Sequence, residues 1–388
     1  MGGKNFSAES ENAVTACFVA RVFVPNFGPC VARVDGDKLI DVTASFPTMR
    51  DLCENMNPSA AVRAAKGNNL GLVAEVLANT APDTRNKSKP WLLAPVDLQA
   101  IKAAGVTFVV SMLERVIEEK ARGDANAAIA IRSHIRDLVG DDLRKLKPGS
   151  PEAAALKETL IKAGAWSQYL EVGIGPDAEI FTKGQPMSAV GTMSDVGVHP
   201  KSTWNNPEPE VVLVVSSKGN IVGASLGNDV NLRDVEGRSA LLLGKAKDNN
   251  AATAIGPYVR LFDDEFTLDS VRKMELSLTV EGTDGFKMKG RSSIAEISRD
   301  PADLVAQTIN AHHHYPDGFV LFLGTMFAPS DDRDVPGRGF THKTGDIVTI
   351  ATAELGALVN RVVPTDKAEA WTFGAADLMR NLAGRGLI

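Results

Sequence analysis

Asn205-Asn206-Pro207-Glu208-Pro209-Glu210-Val211-Val212-Leu213-Val214-Val215 runs through Ser216-Ser217-Lys218-Gly219-Asn220 into Ile221-Val222-Gly223-Ala224-Ser225-Leu226-Gly227-Asn228-Asp229-Val230. Two valine-rich runs joined by a polar turn containing glycine read as a β-hairpin. With residues 217–220 as the turn, Glu208 falls opposite Asp229 and Glu210 opposite Gly227, give or take one residue for a bulge. Side chains on a strand repeat every second residue, so Glu208, Glu210 and Asp229 share one face at the open end of the hairpin. Like charges opposite each other on a sheet repel, and a cation removes that penalty. Three carboxylates without a soft ligand point to a hard, oxygen-preferring ion such as Mg2+, which would keep about three octahedral positions for water or substrate. A solvated strand end with unpaired acids fits the same spacing.

On the N-terminal side, short β-rich runs at residues 16–24, 30–34 and 39–42 alternate with turn signals at Asn26-Phe27-Gly28-Pro29 and Asp35-Gly36-Asp37. Residues 48–78 turn helical, and residues 81–90 are polar, proline-bounded and without periodicity, as a linker is. This predicts a small β-rich N-terminal domain over residues 1–90 and a larger domain over residues 91–388. In the larger part, residues 111–163 carry Ala, Glu, Lys, Arg and Leu at helical spacing, with breaks at Gly123-Asp124 and at residues 147–151. From residue 171 onward valine-rich strands alternate with glycine turns, interrupted by a helix after Asp300-Pro301, where Asp caps and Pro suits the first turn. The reading is α+β, mostly strand, with helices packed outside.

The 388 residues are 44% hydrophobic and 23% charged, which is ordinary globular usage. Against 48 Asp+Glu stand 42 Lys+Arg, a net charge of −6 without the basic patch that nucleic acid requires. No window approaches the ~20 apolar residues that span a bilayer. The N-terminus lacks a signal-peptide apolar region, and Phe6 stands where a myristoylation motif needs Ser or Thr. A cytoplasmic enzyme without nucleic-acid or membrane partners is expected. Cys17, Cys30 and Cys53 have no metal-type spacing and read as buried reduced thiols.

Glu208-Pro209-Glu210, the run from Asn228 to Asp234, Lys245-Ala246-Lys247-Asp248 before Gly256-Pro257, and Leu323-Gly324-Thr325 together resemble the catalytic domain of the fumarylacetoacetate hydrolase superfamily. The resemblance runs in order from about residue 96 to the end, and it implies a mixed β-roll core, a homodimer or homotetramer, and bound Mg2+ or Mn2+. Carried over, it makes Glu208, Glu210 and Asp229 the metal ligands, Lys245 the site lysine with Lys247 the neighbouring candidate, Arg233 a polar site residue and Thr325 a donor to the substrate carboxylate. The strand Ile180-Phe181-Thr182-Lys183-Gly184 matches the family's pocket wall. Lys183 either faces the pocket or is an exposed lysine.

The departure lies at residues 104–114. Hydrolases of the family carry a histidine where Ser111 stands, and Thr107-Phe108 replaces the usual aromatic pair, so hydrolysis is placed in doubt. With Ser298-Arg299-Asp300-Pro301, Tyr315-Pro316-Asp317-Gly318-Phe319 and Thr325-Met326-Phe327-Ala328-Pro329, the chain looks closest to the sugar-acid dehydratase branch, of the 2-keto-3-deoxy-D-xylonate type. That branch implies a sugar-acid substrate in pentose catabolism and a metal acting as Lewis acid on an enolate formed by loss of a C3 proton. Glu114 and Lys245, with Ser111 beside them, are then the acid–base candidates, and Phe108 an apolar wall that would raise a carboxyl pKa. Ser111 and Glu114 also fit a helix capping box, a purely structural device. A C–C hydrolase or an oxaloacetate-type decarboxylase is the rival within the same chemistry, and an inactive binding protein the rival outside it. His312-His313-His314 reads as a helix end, and His199 and His342 as surface residues in polar loops.

Overall fold

The computed structural model describes residues 16–108, Met112, Val116, 146–164, 166–327, 331–334 and 339–388. Along the chain the strands are β1 (Phe18–Val24), β2 (Gly28–Asp35), β3 (Lys38–Asp41), β4 (Asn68–Leu72), β5 (Trp91–Leu93), β6 (Ala100–Gly105), β7 (Glu179–Gly184), β8 (Asp195–Val198) and β9 (Asn205–Asn206). They continue as β10 (Pro209–Val215), β11 (Ile221–Asp229), β12 (Asn231–Leu232), β13 (Thr253–Leu261), β14 (Glu275–Glu281), β15 (Lys287–Ser293), β16 (Phe319–Phe322), β17 (Ile347–Thr352) and β18 (Gly356–Pro364). An 11-stranded sheet is ordered β4-β3-β2-β1-β13-β11-β10-β16-β6-β7, with β5 on β1; a five-stranded sheet is ordered β15-β14-β17-β18-β8; β9 and β12 form a two-stranded pair. The fold is α+β with mixed sheets.

The β10–β11 hairpin adopts the register that its turn implies: Glu210 pairs with Gly227, Val212 with Ser225 and Val214 with Gly223. A bulge at Val215 absorbs the turn, where Gly219 sits at φ 80°. Every residue of β10 is buried because the strand lies mid-sheet between two cores. Val211, Leu213 and Val215 pack with Leu278, Ile350 and Leu358 of the five-stranded sheet. Val212 and Val214 face the other way, into a core shared with Val19, Val31, Met49 and Leu52 from the N-terminal segment. Alternation along the strand places Glu208 and Glu210 on this second face, beyond the end of that core.

Residues 16–90 therefore extend the large sheet through β1 on β13 and share its core. The polar stretch 81–90 is tied down locally: Asn79 Nδ2 donates to the carbonyls of Asn86, Lys89 and Pro90, and Arg85 stacks on Trp91 at 4.9 Å. Within the helical pattern of residues 48–78 lies a strand, β4, paired with β3. Its sequence, Asn68-Asn69-Leu70-Gly71-Leu72, has no β-branched residue, and as a largely exposed edge strand it needs no buried alternation. In residues 111–163 the helix Pro151–Lys162 is present, with the Ser150 hydroxyl accepting from the Ala153 amide at 3.2 Å; of residues 111–145 only Met112 and Val116 are among the described residues. The helix after Asp300 spans Pro301–Thr308, capped by Asp300. Cys17, Cys30 and Cys53 are buried free thiols.

Candidate metal centre

Glu208, Glu210 and Asp229 are each no more than 3% exposed, and one ligand oxygen from each lies within 4.8 Å of the others. The hairpin register is what gathers them. The Asp229 amide donates to the Glu208 carbonyl at 3.0 Å, and the Glu208 amide to Asn228 Oδ1 at 3.2 Å, which closes the open end of the hairpin. Opposite Glu210, Gly227 leaves room that no side chain could share, because a Cβ there would come within 2.3 Å of Phe322 and 2.5 Å of Val212.

Two buried lysines meet the acids. Lys247 Nζ lies 2.5 Å from Glu208 Oε2 and 2.9 Å from Asp229 Oδ2. Lys183 Nζ lies 3.1 Å from Asp229 Oδ1. Asn231 Nδ2 donates to Glu208 Oε1 at 3.0 Å and also to Glu236. Glu210 Oε2 accepts from the Gly324 amide at 2.7 Å. Gly324 holds a φ of +98°, and a Cβ there would reach within 2.0 Å of Thr107 Oγ1, so glycine is required for the amide to point at the acid.

Among the described residues, three carboxylates and two ammonium groups meet in this buried site. Burial, followed by the charges of Asp229 and Glu208, pushes the Glu210 carboxyl well above its ordinary value, against the pull of Lys247 and the Gly324 amide. Burial likewise draws the Lys183 ammonium down, although Asp229 opposes it. A divalent ion would offset the repulsion among the acids, and a donor set made only of carboxylate oxygens fits a hard, oxygen-preferring ion such as Mg2+.

Lys245 is exposed, and the lysine in the cluster is Lys247. Both lie on the short helix Leu243–Lys247, where two residues span about 200° and so point to opposite sides. Lys183 is neither exposed nor lining an open pocket: it is completely buried against Asp229. Arg233 is 7% exposed and stacks over Trp204 at 4.3 Å. Thr325 is half-buried, its hydroxyl donating to the Phe327 carbonyl at 3.0 Å. Phe108 is buried in the main core and bridged to Ile297. Ser111 and Glu114 lie outside the described residues. His342 is not a surface residue: its Nδ1 is 3.1 Å from Asp346 Oδ2 and its amide donates to Asn205 Oδ1. His199 is half-exposed, and His312, His313 and His314 are exposed beyond the helix end. Asn231, Trp204 and the Gly324 amide are not singled out from sequence as site groups, although Asn231 and Gly324 stand within the runs 228–234 and 323–325 that carry the family resemblance.

A mixed-sheet fold that buries Glu-x-Glu and a later Asp at a hairpin's open end defines the class. The chain belongs to the fumarylacetoacetate hydrolase family, whose pattern "Fumarylacetoacetate (FAA) hydrolase C-terminal" matches residues 156–363, more than half of it. It is 31% identical over 194 residues to a Haloferax volcanii protein named probable 2-keto-3-deoxyxylonate dehydratase, covering 50% of this chain and 63% of that one. It is 27% identical over 267 residues to the 2-dehydro-3-deoxy-D-arabinonate dehydratase of Saccharolobus solfataricus, covering 65% of this chain and 86% of that one. The chain thus spans less than two thirds of the Haloferax relative. Among solved structures, 2-keto-3-deoxy-D-arabinonate dehydratase complexed with magnesium and 2,5-dioxopentanoate superposes with a TM-score of 0.62 at 19% identity, covering 89% of this chain and 99% of that one. A 5-carboxymethyl-2-hydroxymuconate delta-isomerase from Mycobacterium smegmatis superposes at 0.52 and 17% identity, covering 89% and 98%. At these identities the structural likeness is one of fold.

Proposed function

We propose that this chain is a divalent-metal-dependent hydro-lyase that dehydrates a 2-keto-3-deoxy pentonate of the D-xylonate type to 2,5-dioxopentanoate in cytoplasmic pentose catabolism. The observation that carries the reading is the buried cluster of Glu208, Glu210 and Asp229 in a chain whose sequence relatives are named dehydratases of 2-keto-3-deoxy pentonates. The solved neighbour bound to magnesium and 2,5-dioxopentanoate shows that this fold accommodates such a product. In this reading the three carboxylates hold Mg2+ or Mn2+, and the working unit is a homodimer or homotetramer, as the family resemblance implies.

When bound, the ion supplies Lewis-acid stabilisation of negative charge on the C2 oxygen. The residues of the chain supply the rest. Lys247, rather than Lys245, holds Glu208 and Asp229 in place with its ammonium and adds positive charge beside the reacting oxygen. Arg233, steadied on Trp204, and Thr325 bind the sugar-acid's polar groups. Glu114 takes the C3 proton and returns a proton to the departing C4 hydroxyl, which leaves as water, with Ser111 the second acid–base candidate of that segment. Loss of one proton from C5 and one from the C5 hydroxyl, with return of protons to C3 and C4, converts the resulting enone into the C5 aldehyde, so substrate minus one water equals product.

Product identification with the purified protein, Mg2+ and a panel of 2-keto-3-deoxy sugar acids tests this. An aldehyde-bearing C5 product from a pentonate is expected; stoichiometric pyruvate, or turnover of diketo acids alone, would replace it with the C–C hydrolase or decarboxylase reading.

A further inference from the structure

Lys183 has no exposed surface, and its surroundings are unlike those of a substrate-binding lysine. The β6–β7 pairing passes from Ile101↔Gly184 to Lys102↔Thr182, so Lys183 is the extra residue of a β-bulge and faces no partner across the sheet. Bulges of this kind redirect a side chain locally. Here the ammonium reaches three oxygens from two elements: Asp229 Oδ1 at 3.1 Å, the Val230 carbonyl at 3.3 Å and the carbonyl of Lys247. The first two flank the end of β11, and the third ends the helix that delivers the Lys247 ammonium to Glu208 and Asp229.

We propose that Lys183 is a positioning residue: a buried strut that fixes the carboxylate of Asp229 and the C-terminal end of helix Leu243–Lys247 relative to each other, so that the three acids are held ready for a divalent ion. This rests on the metal-site reading above. A lysine present only to offset charge would need no bonds to backbone carbonyls. Lys183 spends two of its three N–H groups on them, and those carbonyls belong to the residue after Asp229 and to the site lysine itself. The side chain thus ties the sheet to the helix at the point where both present their charged groups.

The two roles predict opposite signs. An ammonium 3.1 Å from a ligand repels a divalent ion, so removing a mere counter-charge would tighten Mg2+ binding. Removing a strut loosens the ligand, which for groups that orient metal ligands typically weakens affinity by about 10- to 100-fold. Calorimetric titration of Mg2+ into wild-type protein and Lys183→Met, with circular dichroism as the check on folding, separates them. A Kd raised about 10- to 100-fold in the Met variant is expected. Lys183→Gln, which keeps a neutral donor for one carbonyl, should fall between the two and is read in the same way where the Met variant does not fold. An unchanged or lower Kd in a folded variant overturns the strut. Wild-type protein that binds neither Mg2+ nor Mn2+ overturns the metal reading itself, and the strut with it.

Discussion

Among the described residues, two of the buried charge clusters are built on opposite principles. Around Asp346, Arg333 forms a two-pronged pair at 2.5 and 2.7 Å, His342 Nδ1 approaches to 3.1 Å and the Lys343 amide donates at 2.9 Å. Arg333 and Lys343 also share Asp284 at the surface. Burial alone would raise the Asp346 carboxyl, yet these bonds outweigh it and hold the group at about 2. At the hairpin's open end the balance goes the other way: Glu210 is pushed up because burial and two neighbouring acids outweigh one lysine and one amide. The Asp346 carboxylate is met by cationic and amide donors from this chain, whereas Glu210 is met by two further acids, an arrangement that a cation would relieve. Buried acids alone therefore say little about function, and the donor count around them decides.

The largest expected effect tests that contrast at its centre. Ala at Glu208, Glu210 or Asp229 should reduce turnover to background and eliminate Mg2+ heat in calorimetry while leaving the fold intact, and exhaustive chelation of the wild type should match it. A variant that keeps wild-type turnover would remove that residue from the ligand set. Glu114→Gln comes next: a general acid–base role costs about 10²- to 10⁴-fold in kcat, whereas a capping box, which Gln also completes, leaves kcat nearly unchanged. At the other cluster, Arg333→Met should cost about 3–5 kcal/mol of stability in denaturant melts, because Asp346 is left buried without its main partner, while the Mg2+ affinity of folded protein stays put.

A smaller effect follows from protonation. A carboxyl raised in the fold above its unfolded value makes the metal-free protein more stable as pH falls through that raised value and less stable as pH rises through it. A divalent ion competes with that proton, so the thermal stabilisation given by saturating Mg2+ should grow as pH rises toward that raised value and level off above it. A stabilisation independent of pH would contradict the raised Glu210. Smallest is Lys245→Ala: the exposed side chain should change kcat by less than about twofold, whereas Lys247→Ala, which strips a buried partner from two acids, should cost about 10²-fold or more. Equal losses in both would restore Lys245 to the site.

By itself the sequence determined the elements whose signals are local. Two apolar runs about the polar turn at Lys218-Gly219 carried the hairpin and its register, and the two-residue period then put Glu208, Glu210 and Asp229 on one face. Asp300-Pro301 carried a helix start in the same way. What only the tertiary structure decided depends on contacts distant in the chain. Which of Lys245 and Lys247 faces the acids is set by how one short helix docks on β7 and β12, and a two-residue spacing leaves that open. The burial of Lys183 comes from a bulge that no residue type announces, that of His342 from Asp346 and Asn205, and the second core face of β10 from strands nearly 200 residues earlier in the chain. Local periodicity reports which side of a strand a residue occupies; only packing reports what stands on that side to meet it.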